Sequence, residues 1–141
     1  EFILKNERRV RKLVPAVHNL IFVYSSRNRI DAMKELHGTT LPIRYIMNRE
    51  CHRPIIIPDS QMRSFIAISG HYDQALLYLD PSEPALRKGT RVRIIGGVFA
   101  GVEGEFVRVR NDRRVVVSID GVMAVATTFI HPSLVEPIIE K

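Results

Sequence analysis

Cys51 and His52 are the one adjacent nucleophile-and-base pair in the chain. Thiolate catalysis needs the imidazole within hydrogen-bond reach of the sulfur. Neighbours on an extended strand point to opposite faces, so the pair would not meet there. The five histidines, 18, 37, 52, 71 and 131, are dispersed. None pairs with another at metal-ligand spacing beside a carboxylate or thiolate. The glycine-rich run 96–104 lacks the Gly-Lys-Ser/Thr ending and following helix of a phosphate loop. No catalytic residue, metal or cofactor is expected, and the chain reads as a non-enzyme. Cations are a further chemical candidate. Lys5, Arg8, Arg9, Arg11 and Lys12 place five positive charges in eight residues beside Glu7, and Arg27 and Arg29 extend the track. Such a run meets backbone phosphates without reading bases, so its binding should weaken with salt. No aromatic residue is interleaved there to stack a base. The other reading, a hairpin tip kept soluble by charge, stays open.

The 141 residues suffice for one medium domain or two small ones, with 45% hydrophobic and 26% charged residues. The formal net charge of +6 suits a polyanionic neighbour. Residues 1–79 hold 12 Lys/Arg against 7 Asp/Glu, while residues 80–141 hold 9 against 8, so nucleic-acid contact is expected in the first part. The single cysteine excludes an intramolecular disulfide and fits a reducing cytoplasm. No apolar run reaches membrane-spanning length and no signal-peptide pattern opens the chain, so no membrane partner is expected.

Asp80-Pro81-Ser82-Glu83-Pro84 reads as a linker. The expected domains are 1–79 and 88–141, joined by 80–87. In the first, strands are expected over 2–4, 20–24, 43–47 and 55–57, with residues 5–12 as a charged connection. Ser26 can cap a helix ending near Leu36 with Gly38 as its stop. Asp59 can cap a second helix to Ser69, with Met62, Phe65, Ile66 and Ser69 on one face and Gly70 closing it. In the second, five strands are expected over 91–95, 103–110, 113–119, 122–128 and 134–138. Alternation puts Val92 and Ile94 on one face and Arg91 and Arg93 on the other. Asn111-Asp112 and Asp120-Gly121 are the expected tight turns, and closure into a small barrel would leave no exposed edge.

The run Lys88-Gly89-Thr90-Arg91-Val92-Arg93-Ile94-Ile95-Gly96-Gly97-Val98-Phe99-Ala100-Gly101-Val102-Glu103-Gly104 resembles a KOW motif. With Val17-His18-Asn19-Leu20-Ile21-Phe22-Val23 and Pro54-Ile55-Ile56-Ile57-Pro58-Asp59 upstream, nearly the whole chain resembles the NusG family of transcription elongation factors. The run from Arg113 to Thr127 is similar to the UpxY-type paralogs, which implies antitermination at surface-polysaccharide operons. The implied fold is an α+β NGN-like domain, an antiparallel sheet with helices, followed by a small all-β SH3-like KOW barrel. Relatives begin with a Trp/Tyr-bearing strand and a helix placed before the position of Glu1, so the NGN sheet is expected to lack its first strand.

The resemblance also implies partners. An apolar patch would receive the clamp helices of RNA polymerase, and the matching positions are Leu20, Phe22, Tyr45, Met62, Phe65 and Ile66. Met62 and Phe65 are expected as exposed anchors, while Phe22 and Ile66 are balanced between interface and core. Ile30, Asp31 and Lys34 match a second polymerase contact, with a solvated helix face as the alternative. The basic run would lie along nucleic acid of the elongation complex. The barrel would take a ribosomal protein or the termination factor Rho, with Gly97, Gly101 and Gly104 read first as turn framework. The competing functions are a ribosome-associated or RNA-binding KOW protein acting in translation, and a freestanding adaptor with no nucleic-acid role.

Overall fold

A computed structural model describes residues 2–5, 8–71, 73–83, 86 and 89–139, excluding the side chains of 2–5 and 9–11. The chain divides into two compact units, Glu1–Arg44 and Tyr45–Lys141. Its described residues form an α+β protein with two α-helices and a six-stranded antiparallel sheet.

In the first unit β1 (Phe2–Lys5) pairs with β2 (Arg8–Arg11), Lys5 standing opposite Arg8. Part of the expected charged connection is therefore strand, and Asn6 and Glu7 lie outside the described residues. Helix α1 (Arg27–His37) starts where Ser26 accepts a hydrogen bond from Arg29 N at 3.3 Å, as its sequence predicts. No α1 residue is buried, and Leu36 is exposed. The expected strand over 20–24 does not form: this run is irregular, with Ile21, Phe22, Val23 and Tyr24 exposed. Its β-branched and aromatic residues favour strand only beside a ladder partner, and among the described residues β1 and β2 pair only with each other.

The second unit holds helix α2 (Asp59–Ser69) and strands β3 (Leu77–Leu79), β4 (Thr90–Ile94), β5 (Glu103–Val109), β6 (Asp112–Ile119), β7 (Met123–Ala126) and β8 (Val135–Pro137). Their order is β3-β7-β6-β5-β4-β8, with every neighbouring pair antiparallel. Strands β4 to β8 fall where expected, within two residues at either end. Strand β3 does not: it belongs to the part of the chain placed before the linker, yet Leu77 pairs with Ala126 and Leu79 with Ala124. The described part of the linker makes turn hydrogen bonds, Glu83 N to Asp80 O and Leu86 N to Glu83 O, and residues 84, 85 and 87 lie outside the described residues. Leu86 packs on the core of Leu79, Val107, Val109, Val116, Ala124 and Ala126. The observed boundary thus lies at Arg44–Tyr45, upstream of 80–87. Strands β3 and β8 stand at the ends of the order, and no ladder closes them among the described residues.

Strand β4 buries Val92 and Ile94 and exposes Arg91 and Arg93, as the alternation requires. Strand β6 instead buries three consecutive residues, Val115, Val116 and Val117, and β7 buries all four of its own. Successive strand residues face opposite ways, so both faces here are covered. Helix α2 packs on β6 and β7, burying Phe65 and Ile68. Each such side chain contributes roughly 1.5–3 kcal/mol by leaving water. Asp59 is the first helical residue and Pro58 occupies the cap position without a side-chain bond, so Asp59 acts on the helix dipole and does not cap. The expected strands at 43–47 and 55–57 reduce to a bridge between Met47 and Pro54, with Ile55 N bonded to Ile46 O. Pro54 and Pro58 supply no N–H to a ladder.

Asp80 accepts from Ser82 Oγ at 2.6 Å and from Ser82 N at 2.9 Å. The side-chain bond first, then the backbone bond, holds its carboxyl below the ordinary value. The charged form is thereby favoured in the fold, so this contribution is present above the unfolded pKa and lost as pH falls through the folded one. In a carbon-detected NMR titration Ser82→Ala should move the Asp80 midpoint upward; an unmoved midpoint would show that the turn does not hold the carboxylate.

Candidate functional site

The residues expected to meet polymerase divide between the units. Leu20 and Phe22 lie in the irregular run of the first, half-buried and 38% exposed respectively. Tyr45, Met62, Phe65 and Ile66 lie in the second. Helix α2 is rotated from its expected phase. Gln61, Ser64, Phe65 and Ile68 share the inward side, at i, i+3, i+4 and i+7 spacing. Phe65, expected as an exposed anchor, is 6% exposed, whereas Ile66 is 60% exposed and Met62 is half-buried. The helix docks a two-faced sheet, and the adjacent apolar pair leaves one member outside.

Ile30, Asp31 and Lys34 are on α1, Ile30 and Lys34 half-buried and Asp31 exposed. Asp31 lies 3.5 Å from Arg27 in an i, i+4 ion pair. A shallow concavity beside them is lined by Asn28, Asp31, Ala32, Lys34 and Glu35. Among the expected phosphate-binding residues, Arg8, Lys12, Arg27 and Arg29 are exposed. Lys5, Arg9 and Arg11 have described backbones in β1 and β2, and their side chains lie outside the described residues.

The glycines of the 88–104 run are framework. Gly97 and Gly101 hold φ of +82° and +89°, with nothing within 4 Å of an added Cβ. They turn the loop between β4 and β5, where Gly101 N donates to Ile94 O at 2.7 Å and Phe99 is buried. Gly104 stands opposite Val92, and a Cβ there would meet Val116 O at 2.5 Å. No family model, curated protein or solved structure matches this chain.

Cys51 and His52 sit in a tight loop and not on a strand. Asn48 Oδ1 accepts from Glu50 N at 2.8 Å and Cys51 N at 3.2 Å, and His52 adopts φ of +54°. Among the described residues no three His, Cys, Asp or Glu side chains group as metal ligands, and no helix is long and apolar enough to cross a membrane.

Redrawn at the observed boundary, the charge split persists: 9 Lys/Arg against 4 Asp/Glu in Glu1–Arg44, and 12 against 11 in Tyr45–Lys141. The near balance of the second unit conceals a sorting. Three of its acids, Glu103, Glu105 and Glu136, stand opposite β4, where Arg93 donates to Glu103 at 2.7 Å and to Glu136 at 3.4 Å, and Arg91 lies 3.8 Å from Glu103. The Glu103 hydrogen bond is the main cause raising the Arg93 pKa. A polar cleft of about 240 Å³ adjoins them, lined by residues that include Ser60, Gln61, Glu105 and Asp120. Gln61 Nε2 donates to Asp120 at 3.2 Å, leaving its buried oxygen without a partner among the described residues. The turn end of the β5–β6 hairpin carries the opposite charge: Arg108, Arg110 and Arg113 are exposed there. The sequence reading passed over these arginines, because the net charge of the whole part masked them.

Proposed function

We propose that this protein is a non-catalytic, cytoplasmic transcription elongation and antitermination factor of the NusG type. It binds RNA polymerase, suppresses pausing or termination, and acts at surface-polysaccharide operons. The observation that supports this reading best is the order β7-β6-β5-β4-β8. The glycine-bounded strand β4 lies between its successor β5 and the C-terminal strand β8, the arrangement needed to curl these five strands toward an SH3-like KOW barrel. Gly97 and Gly101, in the loop that follows β4, both hold positive φ. The NGN half of the reading rests on the order and spacing of its sequence runs. Polymerase contact falls to Ile66, exposed on α2, with half-buried Met62 beside it. Ile30, Asp31 and Lys34 serve as the second polymerase contact, and the basic run follows upstream nucleic acid.

Readthrough tests the proposal. Purified RNA polymerase transcribing a template with an intrinsic terminator should give more run-off product, and shorter pauses, when the protein is added. Unchanged termination and unchanged pausing, on a surface-polysaccharide operon template and on an unrelated one, would overturn it. Binding to ribosomes but not to polymerase would favour the translational alternative.

A further inference from the structure

The hairpin of β5 and β6 breaks a rule kept elsewhere in the sheet. Its register sets Arg108 directly opposite Arg113, and both are exposed. Like charges facing across an antiparallel pair repel. On β4, by contrast, Arg91 and Arg93 face Glu103 and Glu136. Arg110 adds a third exposed cation at the turn, where it and Asn111 both have positive φ. None of the three has an ion pair among the described residues. The nearest acid along the hairpin, Asp112, is engaged by Arg114 at 3.2 Å.

Arg114 fastens a second element to this hairpin. Its other terminal nitrogen donates to Thr127 O at 2.9 Å, while Thr127 Oγ1 accepts from Val115 N at 3.0 Å. Ile130 N then donates to Arg113 O at 2.9 Å. Residues 127–130 are thus strapped along β6, with Thr127 and Ile130 buried. Phe129, between those anchors, is 53% exposed, and its ring lies edge-on to His131 at 6.5 Å. An exposed aromatic ring is therefore carried on a strap whose backbone is bonded to Arg113, one of the three arginines without an ion pair among the described residues.

We propose that the β5–β6 hairpin and the 127–131 strap bind single-stranded nucleic acid, with Arg108, Arg110 and Arg113 on phosphates and Phe129 stacked on a base. A cationic track joined to a stacking ring is what sequence-tolerant single-strand recognition requires. A polyanion also relieves the Arg108–Arg113 repulsion that the free hairpin carries. Arg114 is a positioning residue, since its guanidinium is occupied by Asp112 and Thr127. The inference does not rest on polymerase binding, and it adds to the second unit a partner other than a protein. RNA and single-stranded DNA share this chemistry, and the assay separates them.

Fluorescence anisotropy of the full chain should use a labelled oligouridylate about 12 nucleotides long, its deoxy counterpart, and a duplex of equal length. Salt should be varied from about 50 to about 200 mM. The triple variant Arg108→Ala/Arg110→Ala/Arg113→Ala should weaken single-strand binding at least tenfold and lower the salt slope by about 2, near 0.7 per phosphate contact. Phe129→Ala should weaken single strands about tenfold with the slope unchanged, and leave the duplex unaffected. Preference for the ribose strand assigns RNA, and parity assigns either single strand. A thermal melt checks folding: the triple variant should be no less stable than the parent, because a repulsive pair is gone. Unchanged affinity and slope in the triple variant would place binding on the first unit's basic run and overturn the proposal. So would equal binding of an oligoglutamate, or a Phe129→Ala protein that binds single strands and duplex as the parent does. The assay contains no polymerase, so its failure and that of the transcription reading remain separable.

Discussion

Phe65→Ala is expected to remove about 3–5 kcal/mol from the stability of Tyr45–Lys141, and Ile66→Asp less than about 0.5 kcal/mol. The two residues are neighbours on α2, yet Phe65 is 6% exposed and Ile66 60% exposed. Truncating Phe65 leaves a void between α2 and the sheet, beside Ile68, which is fully buried. That cost combines lost transfer energy with an unfilled cavity. Ile66 loses nothing comparable, because its side chain is already largely in water. Retention on immobilised RNA polymerase should follow the opposite logic. Ile66→Asp places a charge on the exposed apolar position and should abolish retention in a folded protein. Phe65→Ala should lose retention only as the second unit unfolds, with retention and urea midpoint falling together. A Phe65→Ala protein with an unshifted midpoint would show that α2 does not dock on β6 and β7. A folded Ile66→Asp protein that binds polymerase normally would remove Ile66 from the contact and sink this placement of the clamp-helix site.

The sheet was legible where local signals agreed. Arg and aliphatic residues alternate over β4, Asp120-Gly121 marks the turn before β7, and glycines bound the loop between β4 and β5. Each of these acts within a few residues. The failures all depend on what lies across a gap in sequence. Leu20–Tyr24 has high β propensity, but propensity without a partner strand does not make a ladder. Leu77–Leu79 has only three residues, and pairing with β7 makes it a strand. Phe65 and Ile66 are about 100° apart on a helix, so either could face inward until the docking surface is known. The arginine pair shows the same dependence. With a turn centred on Asn111-Asp112, Arg110 would oppose Arg113. The observed turn at Arg110-Asn111 lies one residue earlier, which shifts each partner by two residues and sets Arg108 there instead. The charges themselves were readable, and their opposition was not.

Gly104→Ala should destabilise the second unit at the upper end of the roughly 1–3 kcal/mol typical of overpacking, or beyond it. The obstacle is space, not conformation. A Cβ at Gly104 would lie 2.5 Å from Val116 O, 2.9 Å from Val115 Cγ1 and 3.1 Å from Val116 C. Two of those atoms are backbone of β6, held in the ladder where Glu105 pairs with Val116, and Val115 is wholly buried. No flexible side-chain end is present to move aside. Gly101→Ala meets nothing within 4 Å, so its cost is the strain of positive φ, about 1–2 kcal/mol. Asparagine tolerates that backbone better than alanine, so Gly101→Asn should recover part of the loss, while Gly104→Asn should be worse than Gly104→Ala. Urea midpoints for the four variants give the comparison. Equal effects at 101 and 104 would mean that β5 and β6 do not approach closely at Gly104. The expected inequality instead assigns the two glycines different tasks within one motif. Gly101 lets the chain turn back toward β5, and Gly104 lets β5 close onto the buried valines of β6. That closure fixes the register of the β5–β6 hairpin, and with it the opposition of Arg108 and Arg113 on which its proposed attraction for phosphate depends.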